Sequence, residues 1–175
     1  MYLKLIVTSI LILLLLIIQV AFISGLPTYF SNFNLVLVIL IMILGFSSFR
    51  NALLWSVTVG FLWDMFSFSL FGLHVFTLVA SVFLANFLLE NFLTNRSLYT
   101  FLALTIAVSL LHEFLSSVIS FLFAVFLDQS LSLHFSSDFW VDEFFKVLVN
   151  MALAFVLFYI ISFFSKRFKP MFLIR

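Results

Sequence analysis

Six apolar stretches follow one another along this 175-residue chain, with only polar or helix-breaking links between them. They run about Leu5–Ser24, Phe33–Phe49, Ala52–Phe66, Leu73–Leu89, Leu98–Leu127 and Phe144–Phe164. The breaks fall at Gly25-Leu26-Pro27, at Arg50-Asn51, at the Ser67–Gly72 turn, around Glu90-Asn91 and Asn95-Arg96, and in a polar loop from Asp128 to Glu143. At roughly 20 residues per transmembrane helix, six helices use roughly 120 residues and leave no room for a soluble domain. The fold expected is all-α, a polytopic membrane helix bundle with six transmembrane helices making one domain over 1–175. Composition agrees. Only 9% of residues are charged, against about 25% in soluble domains, so a water-facing fold would have little to place on its surface. The 28 Phe residues read as a codon or lipid-facing bias rather than as chemistry.

The first stretch begins after Lys4 and could be taken for a secretory signal. It is too long for a signal core and no small-x-small cleavage site follows it, so an uncleaved first helix is expected. Orientation follows from the cations, which collect on cytoplasmic loops. With six spans, Lys4, Arg50, Arg96, Lys166, Arg167, Lys169 and Arg175 fall on one side, and only Lys146, at the mouth of the last helix, does not. The opposite side receives Asp64, Asp128, Asp138, Asp142 and Glu143. Both termini are therefore expected in the cytoplasm, and the chain is expected to be a multi-pass membrane protein. Five spans would separate the basic tail from Arg50 and Arg96.

Several chemistries are excluded or unsupported. Without cysteine there are no disulfides, thiolate metal sites or Cys nucleophiles. A net charge of +1 gives no reason to expect nucleic acid. There is no Gly-rich phosphate loop, no His-Glu-x-x-His pair and no Gly-x-Ser-x-Gly elbow, so an enzyme is not expected. No cofactor and no metal is expected either.

Polar residues inside apolar helices face protein or water. Helix five carries Ser109, His112, Glu113, Ser116, Ser117 and Ser120 along one stripe. Helix four carries His74, Thr77 and Ser81 at similar spacing, with Ala80 and Ala85 nearby, and helix three carries Ser56, Gly60 and Asp64 at i, i+4 and i+8. One reading is a proton or ligand site made from Asp64, His74, His112 and Glu113. The preferred reading is helix–helix glue from small and hydrogen-bonding residues. Adjacent helical residues such as His112 and Glu113 diverge by about 100°, and one His with one Glu falls short of a zinc site. A Glu113 buried without a cation is expected to be protonated. In the Asp128–Glu143 loop, His134, Trp140 and four carboxylates read as an interfacial segment, with an external docking surface as the functional alternative. The basic tail from Lys166 to Arg175 is expected to lie on the anionic inner leaflet.

The stretch Gly60-Phe61-Leu62-Trp63-Asp64-Met65-Phe66-Ser67-Phe68-Ser69-Leu70-Phe71-Gly72-Leu73-His74 resembles the signature of the rod shape-determining protein MreD family. That signature pairs Gly-x-x-x-Asp late in the third helix with a short turn and a Leu/Phe-Gly-Leu step into the next. Length, six close-packed spans and a short basic tail are similar too, so the likeness covers essentially the whole chain. Ser31-Asn32-Phe33-Asn34 stands where family members often carry a Pro followed by a polar residue. The resemblance implies a non-enzymatic membrane component of the bacterial cell-elongation complex, maintaining rod shape by linking cytoskeletal filament and peptidoglycan synthesis. The partners it implies are an MreC-like bitopic protein, an MreB-like filament, and a peptidoglycan polymerase with its transpeptidase, besides the lipid bilayer.

The motif also reads physically. Gly60 permits close backbone approach, and Gly72 supports a reversal. Asp64 lies at a helix C-terminus, where the macrodipole disfavours an anion, so amides of the Ser67–Gly72 turn or a proton on His74 are expected to compensate. A structural hairpin is preferred to a binding site. Gly60, Asp64, Gly72, His74, His112 and Glu113 are thus the structural and interaction candidates. The alternative function is the substrate-binding membrane subunit of an energy-coupling-factor vitamin transporter, which shares size and layout. Such subunits pack on their partner through small residues in the first helix, and Leu11–Ile18 is bulky throughout.

Overall fold

A computed structural model describes residues 10–23, 25, 33–67, 70–93, 97–126 and 137–168. The described residues form six helices and no strand: α1 (Ile10–Ile23), α2 (Leu35–Phe46), α3 (Phe49–Phe66), α4 (Leu73–Asn91), α5 (Leu98–Phe126) and α6 (Ser137–Phe168). Expectations for Lys4, Leu26-Pro27, Ser31-Asn32, Asn95-Arg96, Asp128, His134 and the tail beyond Phe168 lie outside the described residues.

The bundle is built around α2. Its sequence is apolar on every side, which suits a helix covered all round, and eight of its twelve residues are buried. It touches α3, α4, α5 and α6, while α3–α4, α4–α5 and α5–α6 pack as neighbours in chain order. Val36, Leu37, Leu40 and Ile41 from α2 meet Val59, Leu78, Val82 and Leu104 in the core. Toward the C-terminal end of α2, Gly45 lies so close to the Phe101 ring that a Cβ there would run into it. Phe46 stacks on Phe101 at 5.1 Å between centroids, and Phe158 from α6 tilts against it at 5.3 Å.

The outside of the bundle carries many large apolar side chains. Phe22, Leu54, Phe66, Phe76, Phe87, Phe114 and Phe163 are all exposed, whereas Ser56, Thr77, Ser81 and Thr105 are fully buried. Soluble monomers rarely present large contiguous apolar surface; hydrocarbon accepts it. Among the described residues three segments are long and apolar enough to cross a membrane: Leu73–Asn91, Leu98–Phe123 and Glu143–Phe163, with mean hydropathy of 1.8, 1.8 and 2.3. In the described residues α1 and α2 are apolar but shorter.

Two boundaries differ from expectation. Arg50-Asn51, read as a break, sits in the first turn of α3, because Ser48 caps that helix from an extended conformation and receives the Asn51 amide. The Asn51 side chain also donates to Ser47 at 2.8 Å, so the α2–α3 link closes within two residues. The last helix begins at Ser137, not Phe144. Lys146 and Glu143 pair across one turn at 2.9 Å, a contact that suits continued helix through polar sequence. The second half of α1, Ile17–Ile23, winds as a π-helix, the wider form that often marks a functional position.

Candidate functional site

The α3–α4 hairpin is closed by one carboxylate. Asp64 lies in the last turn of α3, its side chain fully buried. Oδ2 accepts from the Gly72 amide at 3.0 Å and the Val75 amide at 3.2 Å, and Oδ1 accepts from the His74 amide at 2.9 Å. The His74 ring, through Nδ1, bonds Oδ1 at 2.8 Å. The first amides of a helix have no partner inside it, and Gly72, the residue before α4, has no side chain to offer them. Asp64 does that capping from the neighbouring helix. An anion disfavoured at the C-terminus of α3 is thereby held at the N-terminus of α4, where the dipole favours it. The Gly72 amide, the His74 and Val75 amides of α4 and the His74 ring all bond this one carboxylate.

Glycines on either side make this contact possible. A Cβ on Gly60 would fall 2.7 Å from the Val75 Cα and 3.1 Å from the His74 carbonyl oxygen, so only glycine lets the two backbones approach this closely. Gly72 is needed for another reason. Its φ of 94° is left-handed, while the space around it is open. Trp63 then stacks on the His74 ring at 4.6 Å and 19°, and Phe61 meets Phe71 edge-on across the hairpin.

The remaining candidates separate. His112 is buried against the α4 side, next to the Thr77 backbone, and its Nδ1 has no hydrogen-bond partner among the described residues. Glu113 points elsewhere, toward α6, where Lys146 Nζ lies 3.1 Å from its Oε2. Glu113 therefore has the cation that the sequence reading lacked. The serine stripe of α5 splits too: Ser109 is buried, Ser116 and Ser117 are half-buried and Ser120 is exposed. Thr77, Ser81 and Thr105 return their hydroxyl hydrogens to carbonyls of their own helices, at 2.9, 2.6 and 2.8 Å. These three hydroxyls are spent within their own helices, and the hydrogen bonds between α3 and α4 come from Asp64 instead.

A polar clamp at the N-terminus of α2 escaped the sequence reading. Asn34 caps the helix by accepting from the Leu37 amide, while its own amide donates to Asn150 Oδ1 of α6 at 2.8 Å. From the π-helical part of α1, Gln19 accepts from the Leu35 amide and donates to the Phe33 carbonyl, both at 2.9 Å. Lone Gln19 and Asn150 in apolar runs carried the same signal that singled out His112. Among the described residues no three His, Asp or Glu side chains gather as a metal cage.

The Gly60–Asp64–Gly72–His74 constellation lies within a wider match, for a family model of rod shape-determining protein MreD matches residues 1–168. The chain belongs to the MreD family. No curated protein and no solved structure matches it. As an MreD-family chain it is a shape-determining membrane protein, and the match takes in all six helices, clamp and ion pairs included.

Proposed function

We propose that this MreD-family chain is a non-enzymatic, multi-pass component of the cell-elongation complex in the bacterial plasma membrane. It would cross the bilayer six times with both termini in the cytoplasm, as a single domain. Its role is to link cytoskeletal filament and peptidoglycan synthesis, beside an MreC-like bitopic protein, an MreB-like filament, and the polymerase and transpeptidase. Family membership over residues 1–168 carries the reading. The use to which the structure puts its ionisable groups supports it. Asp64 and His74 are consumed in closing a hairpin, and Glu113 is ion-paired, which suits a scaffold better than a turnover site. On this reading Gly60, Asp64, Gly72 and His74 hold a rigid platform for partner helices, and His112 with Glu113 anchors α5 within it.

Depletion of the protein in a rod-shaped host tests the proposal. Cells are expected to round up, and the tagged protein is expected to co-purify with a bitopic wall-elongation partner. Rods that keep their shape and instead lose vitamin uptake would overturn it in favour of a transporter subunit.

A further inference from the structure

Thr77, Ser81 and Thr105 spend their hydroxyl hydrogens within their own helices. Among the described residues two buried side-chain atoms are left without a hydrogen-bond partner, Ser109 Oγ and His112 Nδ1. Both belong to α5, three residues apart, so they share one face of the helix. With 1% and 6% of their surfaces exposed, neither side chain can turn to bulk water. A buried polar atom left unpaired is costly, and buried polar groups are met by protein or by ordered water. Their face is not the one that lines the apolar groove along the α5–α6 seam, to which α5 gives Ile106, Leu110 and Glu113. No lipid chain lying in that groove would meet them.

The other edge of the His112 ring is already engaged, by the Thr77 backbone of α4. An amide inside a helix donates to its own helix, so the group that meets the ring is the Thr77 carbonyl, and the ring proton sits on Nε2. Nδ1 is then a bare acceptor that needs a donor. We propose that Ser109 and His112 hold one internal water molecule at the α4–α5 contact. The water donates to His112 Nδ1 and accepts from the Ser109 hydroxyl, which meets both atoms and gives the water the two polar partners it requires. An ion does not suit the site, because neither group carries a charge and a buried ion must be paired. The bond at one ring nitrogen sets the state of the other, so this water fixes the tautomer with which His112 grips α4. The site needs only the contact between α4 and α5, and stands whatever the chain does in the cell.

The test uses the full-length protein, uniformly isotope-labelled and returned to lipid bilayers, and reads the His112 ring by solid-state NMR, assigned through Leu111 and Glu113. The expected spectrum has the proton on Nε2, an Nδ1 that accepts a hydrogen bond, and magnetisation passed to the ring from water. Ser109→Ala withdraws one of the two partners and should abolish that transfer, with the Nδ1 signal moving toward that of an unbonded nitrogen. Absence of transfer in the unaltered protein, a proton on Nδ1, or transfer undiminished in a folded Ser109→Ala protein would each overturn the site. So would an Nδ1 bonded directly to the Ser109 hydroxyl. The spectrum of the unaltered protein decides the matter even if the variant does not fold.

Discussion

Asp64 accepts three backbone amides and one ring nitrogen with a side chain sealed from solvent. Replacing it with Leu leaves those amides buried without an acceptor and parts His74 from its carboxylate. The expected cost is about 3–5 kcal/mol, read as loss of monodisperse protein and a lower melting temperature in detergent. Unchanged yield and melting would remove Asp64 from the hairpin. The two glycines should fail differently. Gly60→Ala drives a methyl into the backbone of Val75 and should cost about 1–3 kcal/mol through overpacking. Gly72→Ala meets no neighbour and should cost about 1–2 kcal/mol through its left-handed backbone. Asn tolerates that conformation better than Ala, so Gly72→Asn should recover part of the loss, whereas Gly60→Asn should be worse than Gly60→Ala. Thermal unfolding of the four variants distinguishes a contact from a torsion.

For the helices, the decisive feature is how α2 begins. Its first amides are satisfied from both ends of the chain, by Gln19 of α1 and by Asn150 of α6. Asn150→Leu preserves apolar volume but strands the Asn34 amide, and should destabilise the protein by about 1–3 kcal/mol. Hydrogen exchange should rise at the start of α2 more than at the α3–α4 hairpin; equal protection in variant and parent would argue against the clamp. Hydropathy alone made the helical character of all six stretches legible. A carboxylate at the end of α3 announced its need for donors, because burial and the helix dipole both oppose it. Partners between distant segments were not legible. Nothing local says that Lys146 reaches back to Glu113, or that Asn150 finds Asn34, since pairings of this kind depend on the helix order around α2. The start of α6 was missed for a related reason: Ser137–Glu143 is polar enough to read as loop, and Lys146 pairs back onto Glu143 only once that stretch is already helical.

At the scale of the whole molecule, the exposed phenylalanines and the buried hydroxyls describe a body made for hydrocarbon. The proposed topology makes a direct prediction. A reporter fused after Lys169 should be active in the cytoplasm, and one inserted after Asp128 should be active outside; a Lys169 fusion active outside would remove the six-span arrangement. The clamp on α2 bears on how such a body is made. The Asn34 amide finds its acceptor 116 residues further along the chain. A ribosome must therefore deliver the chain as far as Asn150 before this donor at the start of the central helix is filled. In a medium without water an unfilled amide costs several kcal/mol, so a nascent chain stopped short of Asn150 carries a built-in mark of incompleteness. Membrane proteases that sample loosely held segments would find it at the start of the central helix.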